Sequence, residues 1–190
     1  MNLLKYGMNL KVSDYRVETS ARHVHLSQAD FVTLFGADAK MDVVKPLSVQ
    51  GEYKANQTVT IVGIKRNLER VAVLGPFRPQ TQVEISVTDS YTLGIKDIPV
   101  RISGDLHGSA PVTLLGTVGK IDLPEGMIVA MRHIHINQAD MKKHGLVDGQ
   151  KISITVGDVR QATFHNVVVR QSAVDFPTVH LDTDEANAVR

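Results

Sequence analysis

The chain contains two copies of one ten-residue motif, 110 residues apart. Residues 21–30 read ARHVHLSQAD and residues 131–140 read MRHIHINQAD. Six of the ten positions are identical, and three more differ only by mild exchanges. Internal similarity of this density indicates a duplicated structural unit, so the fold must consist of two related halves.

The similarity continues more weakly beyond the motif. Three further pairs of segments align, namely 57–63 with 150–156, 70–74 with 166–170, and 81–85 with 177–181. In this register Glu84 in the first half falls on His180 in the second. The aligned segments are rich in β-branched residues, which are typical of strands. Each half is therefore predicted to be built mainly from strands.

Short strands bounded by Gly, Pro, Asn or Asp are predicted along most of the chain. They cover 58–64, 70–74, 82–87, 100–102, 151–156, 166–169 and 178–181. Two short helices are predicted, one capped by Ser27 and ending at Gly36, the other capped by Asn137 and ending at Gly145. This pattern favours a mainly β chain with short helices (α+β), arranged as two related β-barrel domains, each capped by short α-helices. Residues 103–109 and a turn at 123–126 are the predicted connection.

Composition and charge exclude several classes of function. The chain has 21 basic and 20 acidic residues and a net charge of +1, without a basic run, so neither a nucleic acid nor a membrane is an expected partner. The absence of cysteine excludes disulfides, thiolate metal sites and a cysteine nucleophile, and it fits a reducing cytoplasm. No segment has the roughly 18 apolar residues of a membrane span. Residues 1–10 do not read as a signal peptide and are expected to form a loose arm or an edge strand.

Each copy of the motif contains a His-x-His pair, His23 with His25 and His133 with His135. In a β-strand, residues i and i+2 point to the same face, so each pair directs two imidazoles toward one point. Imidazole nitrogen is a favoured ligand of zinc and similar divalent ions. Packing alone does not require imidazole in both copies, which favours metal ligands over ordinary buried histidines.

A third ligand for each pair comes from the repeat register, Glu84 in the first half and His180 in the second. Both lie among apolar residues of a strand, where an unpaired polar side chain is costly. Two three-ligand metal sites are therefore predicted, and the two metals act as a pair if the halves pack face to face. The alternatives are a salt bridge between Glu84 and a neighbour such as Arg78, and a hydrogen-bonded core histidine at position 180.

A candidate anion site lies beside the first predicted metal site. Gln82 and Glu84 share one face of a strand, and Arg78 precedes that strand on a turn with two prolines. Arginine offers a fork of donors that matches phosphate or carboxylate. The loop at Ser103 and the side chain of Arg170 are further candidates for anion binding. The alternative for Arg78 is an ordinary surface arginine.

The chain resembles the PduL-type phosphotransacylases, also called phosphate propanoyltransferases, a family of propanediol utilisation. The resemblance spans residues 17–187 and rests on segments 22–27, 75–78, 81–86, 103–105, 108–109 and 132–135. It implies two helix-capped β-barrels and reversible conversion of acyl-CoA and phosphate into acyl phosphate and CoA at a dinuclear zinc site. It also implies that the short segment before His23 pairs with the second barrel, which gives domains 22–130 and 10–21 plus 131–190.

The resemblance also implies roles for individual residues. The six metal ligands of the family correspond to His23, His25, Glu84, His133, His135 and His180. Its polar active-site residues correspond to Arg78, Gln82, Ser103 and Arg170. Acyl-CoA and phosphate are then the expected partners, and a homodimer the expected assembly, while no residue that contacts CoA is identified.

Two other functions use the same residues. One is a dinuclear metal hydrolase that acts on a thioester or a phosphoester, with water as the nucleophile. The other is a barrel that metal stabilises without catalysis. The amphipathic extension that directs many relatives into bacterial microcompartments has no counterpart in the roughly twenty residues before the motif. A free cytoplasmic bacterial enzyme is therefore favoured over a microcompartment lumen location, and acetyl-CoA over propanoyl-CoA.

Overall fold

The structure is a computed structural model that describes Leu10 and residues 12–190. The expectation of an arm or edge strand at residues 1–10 therefore falls outside the described residues, except for Leu10, which is buried. Among the described residues no helix is long and apolar enough to cross a bilayer.

The described residues form mostly β-structure with short helices, as predicted. The strands are β1 (Arg16–Ser20), β2 (His23–His25), β3 (Val43–Pro46), β4 (Tyr53–Val62), β5 (Leu68–Gly75), β6 (Gln82–Ile85), β7 (Val100–Arg101), β8 (Ala110–Leu115), β9 (Lys120–Ala130), β10 (His133–Ile136), β11 (Lys151–Val156), β12 (Ala162–Gln171) and β13 (Thr178–Asp182). The α-helices are α1 (Gln28–Phe35), α2 (Val87–Leu93), α3 (Gln138–His144) and α4 (Thr183–Ala188), and Val12–Asp14 form a 3-10 turn.

Chain contacts divide the described residues into two compact units. The first unit contains Ala21–Leu47 and Gly51–Ala130. The second unit contains Met131–Arg190, the three residues Ser48–Gln50, and the described residues up to Ser20. The domain boundaries expected from the sequence stay a prediction.

A closed six-stranded β-barrel forms the centre of the first unit. Strands β4, β5, β2, β6, β9 and β8 pair in that order, and β8 pairs back onto β4. Strand β3 extends the sheet beyond β4, and β7 pairs with β9. Buried side chains from the ring strands, among them Val24, Ile61, Val73, Val83 and Met127, form its core.

An open five-stranded sheet forms the second unit, in the order β1-β13-β10-β12-β11. Among the described residues it has no counterpart of β8, the strand that closes the first ring. The predicted second barrel is therefore an open sheet here. The buried core includes Ile134, Ile154, Val169, Val179 and Leu181.

The duplication is visible in strand order and direction. The sequence β4-β5-β2-β6-β9 in the first unit matches β11-β12-β10-β13-β1 in the second, with parallel and antiparallel pairs at the same places. Strand β1 takes the place of β9, so the segment before the first motif pairs with the second half, as the resemblance implies. The aligned register is confirmed, since His23 lies opposite Glu84 and His133 opposite His180.

Even a backbone irregularity is shared by the two halves. Arg70 in β5 and Asn166 in β12 have φ values of 54° and 59°, in the left-handed region that side chains other than glycine rarely adopt. Each lies at a shift in the register with the preceding strand. The sequence alignment had placed these two residues together, so the bulge belongs to the repeated unit.

Each unit carries two short helices, of which the sequence predicted one. Helices α1 and α3 begin after Ser27 and Asn137, whose side chains accept the expected hydrogen bonds from backbone N–H groups. Helices α2 and α4 were not predicted, and the strand predicted for 82–87 ends at Ile85 because Ser86 caps α2. The turn predicted at 123–126 is wrong, because these residues lie within β9 at a bulge opposite β8.

Replacing Asn137 with alanine should lower the free energy of unfolding by about 1 kcal/mol. The side chain of Asn137 accepts a hydrogen bond from the Asp140 backbone and donates one to the Val174 carbonyl. Chemical denaturation compares this variant with Gln138→Ala, which changes the exposed neighbouring residue. Equal stability of the two variants would show that the cap contributes nothing.

Candidate metal centre

The first group of candidate ligands lies in the barrel of the first unit. His23 and His25 project from the same face of β2, while Val24 between them is fully buried in the core. Glu84 lies on β6, directly opposite His23. One ligand atom from each of the three buried side chains lies within 4.8 Å of the other two. The structure thus brings together the three side chains that the sequence predicted.

The second group has the same construction in the open sheet. His133 and His135 share a face of β10, and His180 on β13 lies opposite His133. Here too the ligand atoms lie within 4.8 Å of one another. The three rings are mutually edge-on, with centroids 4.7–5.1 Å apart.

In each group, one pair of ligand atoms has a separation close to that expected around a tetrahedral ion. Ligand atoms about 2.0–2.1 Å from tetrahedral zinc lie roughly 3.4 Å from each other. The Nε2 atoms of His133 and His135 are 3.1 Å apart, and Nε2 of His23 is 3.6 Å from Oε2 of Glu84. Two imidazoles with a carboxylate, and three imidazoles, are also ligand sets that zinc accepts. The side chains present therefore fit a divalent ion at each position.

Hydrogen bonds orient the leading imidazole of each group. Nδ1 of His23 contacts the Ala21 carbonyl at 2.9 Å, and Nδ1 of His133 contacts the Met131 carbonyl at the same distance. A carbonyl only accepts, so each Nδ1 carries the proton and each Nε2 keeps its lone pair. This arrangement is common behind metal-binding histidines.

The electrostatic surroundings keep His25 in the neutral form. Burial lowers the pKa of His25 well below its usual value, the electrostatic effects of His23 and Arg78 act in the same direction, and Glu84 opposes them. Neutral imidazole is the form that binds metal.

In the second group, His135 is the counterpart of His25. Its Nδ1 lies 2.6 Å from Oγ of Ser172, and this contact holds the imidazole ring in place.

A polar network connects the predicted anion-binding residues to the first group. Nη1 of Arg78 donates to Oγ of Ser103 at 3.1 Å, and Nε2 of Gln82 donates to the same oxygen at 2.9 Å. Nε2 of Gln82 also donates to Oε1 of Glu84 at 2.5 Å. Three of the four predicted catalytic residues are thus linked to a candidate metal ligand within one unit.

Backbone contacts hold this network in place. The backbone N–H of Arg78 donates to the Leu26 carbonyl, just after the His-x-His strand. The backbone N–H of Gly104 donates to Oε1 of Gln82 at 2.7 Å, which fixes the orientation of that amide. The backbone of Arg78 is therefore attached to the residue after β2, and the side-chain amide of Gln82 to the loop after β7.

The fourth predicted catalytic residue, Arg170, lies in the second unit. It occupies β12 beside His135, at the position that Leu74 has in the first unit. Its side chain is half-buried. Arg170 is thus the cationic residue that lies beside His135 of the second group in the strand pairing.

Three residues near the two groups were not identified from the sequence. Glu52 forms an ion pair with Nη2 of Arg78 at 3.3 Å, Oε2 of Glu18 lies 3.5 Å from Nε2 of His180, and Ser172 supports His135. Glu18 is held in turn by Ser48, whose hydroxyl donates to it at 2.7 Å. The sequence left open a salt bridge between Arg78 and Glu84. In the structure, Arg78 forms its ion pair with Glu52.

The chain is similar to proteins of one named family over nearly its whole length. Residues 16–190 match the family profile described as phosphate propanoyltransferase. Three proteins named phosphate propanoyltransferase match it closely. The protein of Lachnoclostridium phytofermentans is 46% identical over 175 residues, covering 92% of this chain and 81% of its own. That of Rhodobacter capsulatus is 44% identical over 172 residues (90% and 80%), and that of Thermotoga maritima 45% over 177 residues (90% and 82%).

Proposed function

Since the chain belongs to the phosphate propanoyltransferase family and is an acyltransferase, we propose that it transfers a short-chain acyl group reversibly between coenzyme A and inorganic phosphate. We propose further that the reaction takes place at two metal sites, one formed by His23, His25 and Glu84, the other by the three histidines of the second unit. Zinc is the proposed ion, because the donors are imidazole and carboxylate in sets of three.

The observation that carries the proposal is the network from Arg78 through Ser103 and Gln82 to Glu84. In this network two hydrogen-bonded side chains connect the guanidinium of Arg78, the proposed phosphate-binding group, to a candidate metal ligand. Arginine matches the oxygens of phosphate with two parallel donors. If the metal only stabilised the barrel, a half-buried arginine linked to the ligand Glu84 would not be needed.

In the proposed reaction a phosphate oxygen attacks the thioester carbonyl directly. The new C–O bond forms, the C–S bond breaks, and CoA leaves as the thiolate, which takes up a proton from water. An acyl-enzyme on cysteine is excluded because the chain has no cysteine. A bound divalent ion supplies positive charge that holds phosphate oxygens and offsets the negative charge of the transition state.

The side chains of the network have separate tasks in this reaction. Arg78 binds the phosphate and fixes its direction of attack. Ser103 and Gln82 hold the guanidinium and the Glu84 carboxylate at fixed positions, so that little reorganisation is needed during the reaction. In the second unit, Arg170 is the proposed cation beside the second group of ligands.

CoA release from acetyl-CoA and propanoyl-CoA tests the proposal. We expect release to require inorganic phosphate, to stop after treatment with a chelator and to return when zinc is added. A thiol reagent detects the product without interference, because the protein has no thiol of its own. The reverse reaction, from acyl phosphate and CoA to acyl-CoA, should show the same metal dependence.

The outcome without phosphate separates the two enzymatic alternatives. Release that continues at the same rate in the absence of phosphate, with free carboxylic acid as the second product, would identify a metal-dependent thioester hydrolase. Release that persists after complete removal of metal would contradict the proposed role of both groups.

A further inference from the structure

Each copy of the repeated motif has an arginine immediately before its first histidine, and the proposed reaction assigns it no task. Nη1 of Arg22 lies 2.6 Å from Oδ1 of Asp89, and Nε of Arg132 lies 2.7 Å from Oε1 of Glu185. The two ion pairs join equivalent places, since both carboxylates are the third residue of the helix that follows the third candidate ligand. The duplication has thus kept the pair as well as the ligands.

Each carboxylate uses both of its oxygens. Oδ2 of Asp89 accepts from the backbone N–H of Ser86 at 3.1 Å, and Oε2 of Glu185 accepts from the backbone N–H of Asp182 at 3.2 Å. Ser86 and Asp182 are the N-caps of α2 and α4, and the acid completes a capping box in each helix. In each half, the other carboxylate oxygen faces the arginine. A single carboxylate therefore both caps the helix and pairs with the arginine of the motif.

Each ion pair lies close in the chain to two candidate ligands of its own group. Each N-cap is two residues after the third ligand, Glu84 or His180. Each arginine lies between the first histidine and the carbonyl that bonds to its Nδ1. The carboxylate therefore ties the backbone beside the third ligand to the peptide that orients the first histidine.

Burial and further contacts indicate a defined position for these side chains. The carboxylate side chains of Asp89 and Glu185 are only 9% and 17% exposed, so their paired oxygens are largely shielded from water. Arg132 has two more contacts, since its guanidinium lies 5.3 Å from the centre of the Phe164 ring and donates to the His165 carbonyl at 3.2 Å. The Arg22 and Arg132 side chains are 43% and 32% exposed, so each pair is shielded from water mainly on the side of its carboxylate.

We propose that Arg22 with Asp89 and Arg132 with Glu185 are positioning pairs, one for each metal site, which set the metal affinity of their own half. The inference rests on the proposed metal role of the two histidine groups. Residues behind a metal-binding histidine typically change metal affinity by about 10- to 100-fold when replaced. The affinity of each site should therefore depend on the pair in its own half and be independent of the other.

The test uses the full chain with Asp89→Asn, Glu185→Gln and the double variant. Both amides retain an oxygen that caps the helix, so the substitutions remove mainly the charge of the pair. Zinc affinity is measured by competition with a chromophoric chelator, and cobalt absorption spectra report the coordination geometry. We expect each single variant to weaken one of two bound ions by about 10- to 100-fold, and the double variant to weaken both.

Two control variants complete the experiment. Glu69→Gln removes an exposed carboxylate of the first unit and should leave both affinities unchanged. Asp89→Glu gives the first half the acid that the second half uses, and it should restore most of the affinity lost in Asp89→Asn. Melting temperatures of the metal-free variants measure the contribution of the pairs to stability alone.

Unchanged affinity for both ions, together with a lower melting temperature of the metal-free protein, would show that the pairs only stabilise the fold. A wild-type protein that binds no metal would overturn the inference together with the site assignment. A protein that binds two ions but does not transfer acyl groups to phosphate would contradict the proposed function alone, because this test needs no acyl substrate.

Discussion

Glu84→Ala and His180→Ala should each remove one of the two proposed metal ions from the purified protein and lower acyl transfer by about 100- to 1,000-fold. Each substitution takes one of three ligands from its group, and two imidazoles alone hold a divalent ion poorly. A bound ion contributes several kcal/mol to stabilising charge in the transition state, which sets the size of the expected loss. Metal content per chain and kcat/KM for acyl-CoA are the measurements.

The variants also test whether the two halves hold separate ions. Each variant should keep close to one ion per chain, held by the half that was not changed. Glu69→Gln serves as a carboxylate control, since Glu69 is exposed and lies away from both groups in the sequence. Retention of two ions by Glu84→Ala would exclude Glu84 as a ligand and favour a buried carboxylate held by Gln82.

Arg78→Ala should lower kcat/KM for phosphate by about 100-fold or more and leave the metal content unchanged. The guanidinium is half-buried and already fixed by Ser103, so it is available to the phosphate without a large reorganisation. Arg78→Lys should recover only part of the activity, because an ammonium group keeps the charge but lacks the two parallel donors. Initial rates with varied phosphate at saturating acyl-CoA are the measurement.

A matched variant separates the loss of the guanidinium from the loss of its ion pair. Glu52→Gln breaks the pair with Nη2 of Arg78 but leaves the arginine in place. We expect phosphate use to change by no more than about fivefold in this variant, since pairs of this exposure contribute about 0–1 kcal/mol. Arg66→Ala, at an exposed arginine of the same unit, should have no effect. Equal losses for phosphate use in Arg78→Ala and Glu52→Gln would indicate a structural role for the pair.

The repeat allowed much of the fold to be predicted. A strand has a period of two, so the spacing of His23 and His25 fixed the face on which they lie. The weak alignment that placed Glu84 on His180 gave the correct strand register in both halves. The same alignment placed Arg70 with Asn166, and their shared backbone conformation shows that it was correct at single-residue level.

The repeat could not predict that the sheet of the first unit closes into a barrel while the sheet of the second unit stays open. Closure depends on β8 pairing with both β4 and β9, and pairing between distant strands leaves no periodic signal. Pro124 and Gly126 are typical turn residues, yet a bulge within β9 contains them. Helix α2 had a usable signal, since Ser86 and Asp89 have the spacing of a capping box.

The candidate site was predictable to a similar degree. Its two groups of candidate metal ligands repeat, and a repeat can be detected in a single sequence. Glu18 approaches His180 because β1 pairs with β13, which is distant in sequence, and Glu52 reaches Arg78 from the residue before β4. Arg22 and Arg132 were visible as repeated residues, but their partners became evident only with helices α2 and α4.

The position of β1 has a consequence for how the chain acquires its structure during synthesis. Residues Ala21–Leu47 and Gly51–Ala130 supply every strand of the barrel, so all of its strands are synthesised before Met131. Strand β1 must wait, because Arg16 pairs with Thr178, 162 positions later. Closing so long a loop is costly in entropy, and sheets of such distant strands form slowly. The barrel strands are therefore all available for pairing while β1, which is synthesised before them, still lacks its partner strand β13.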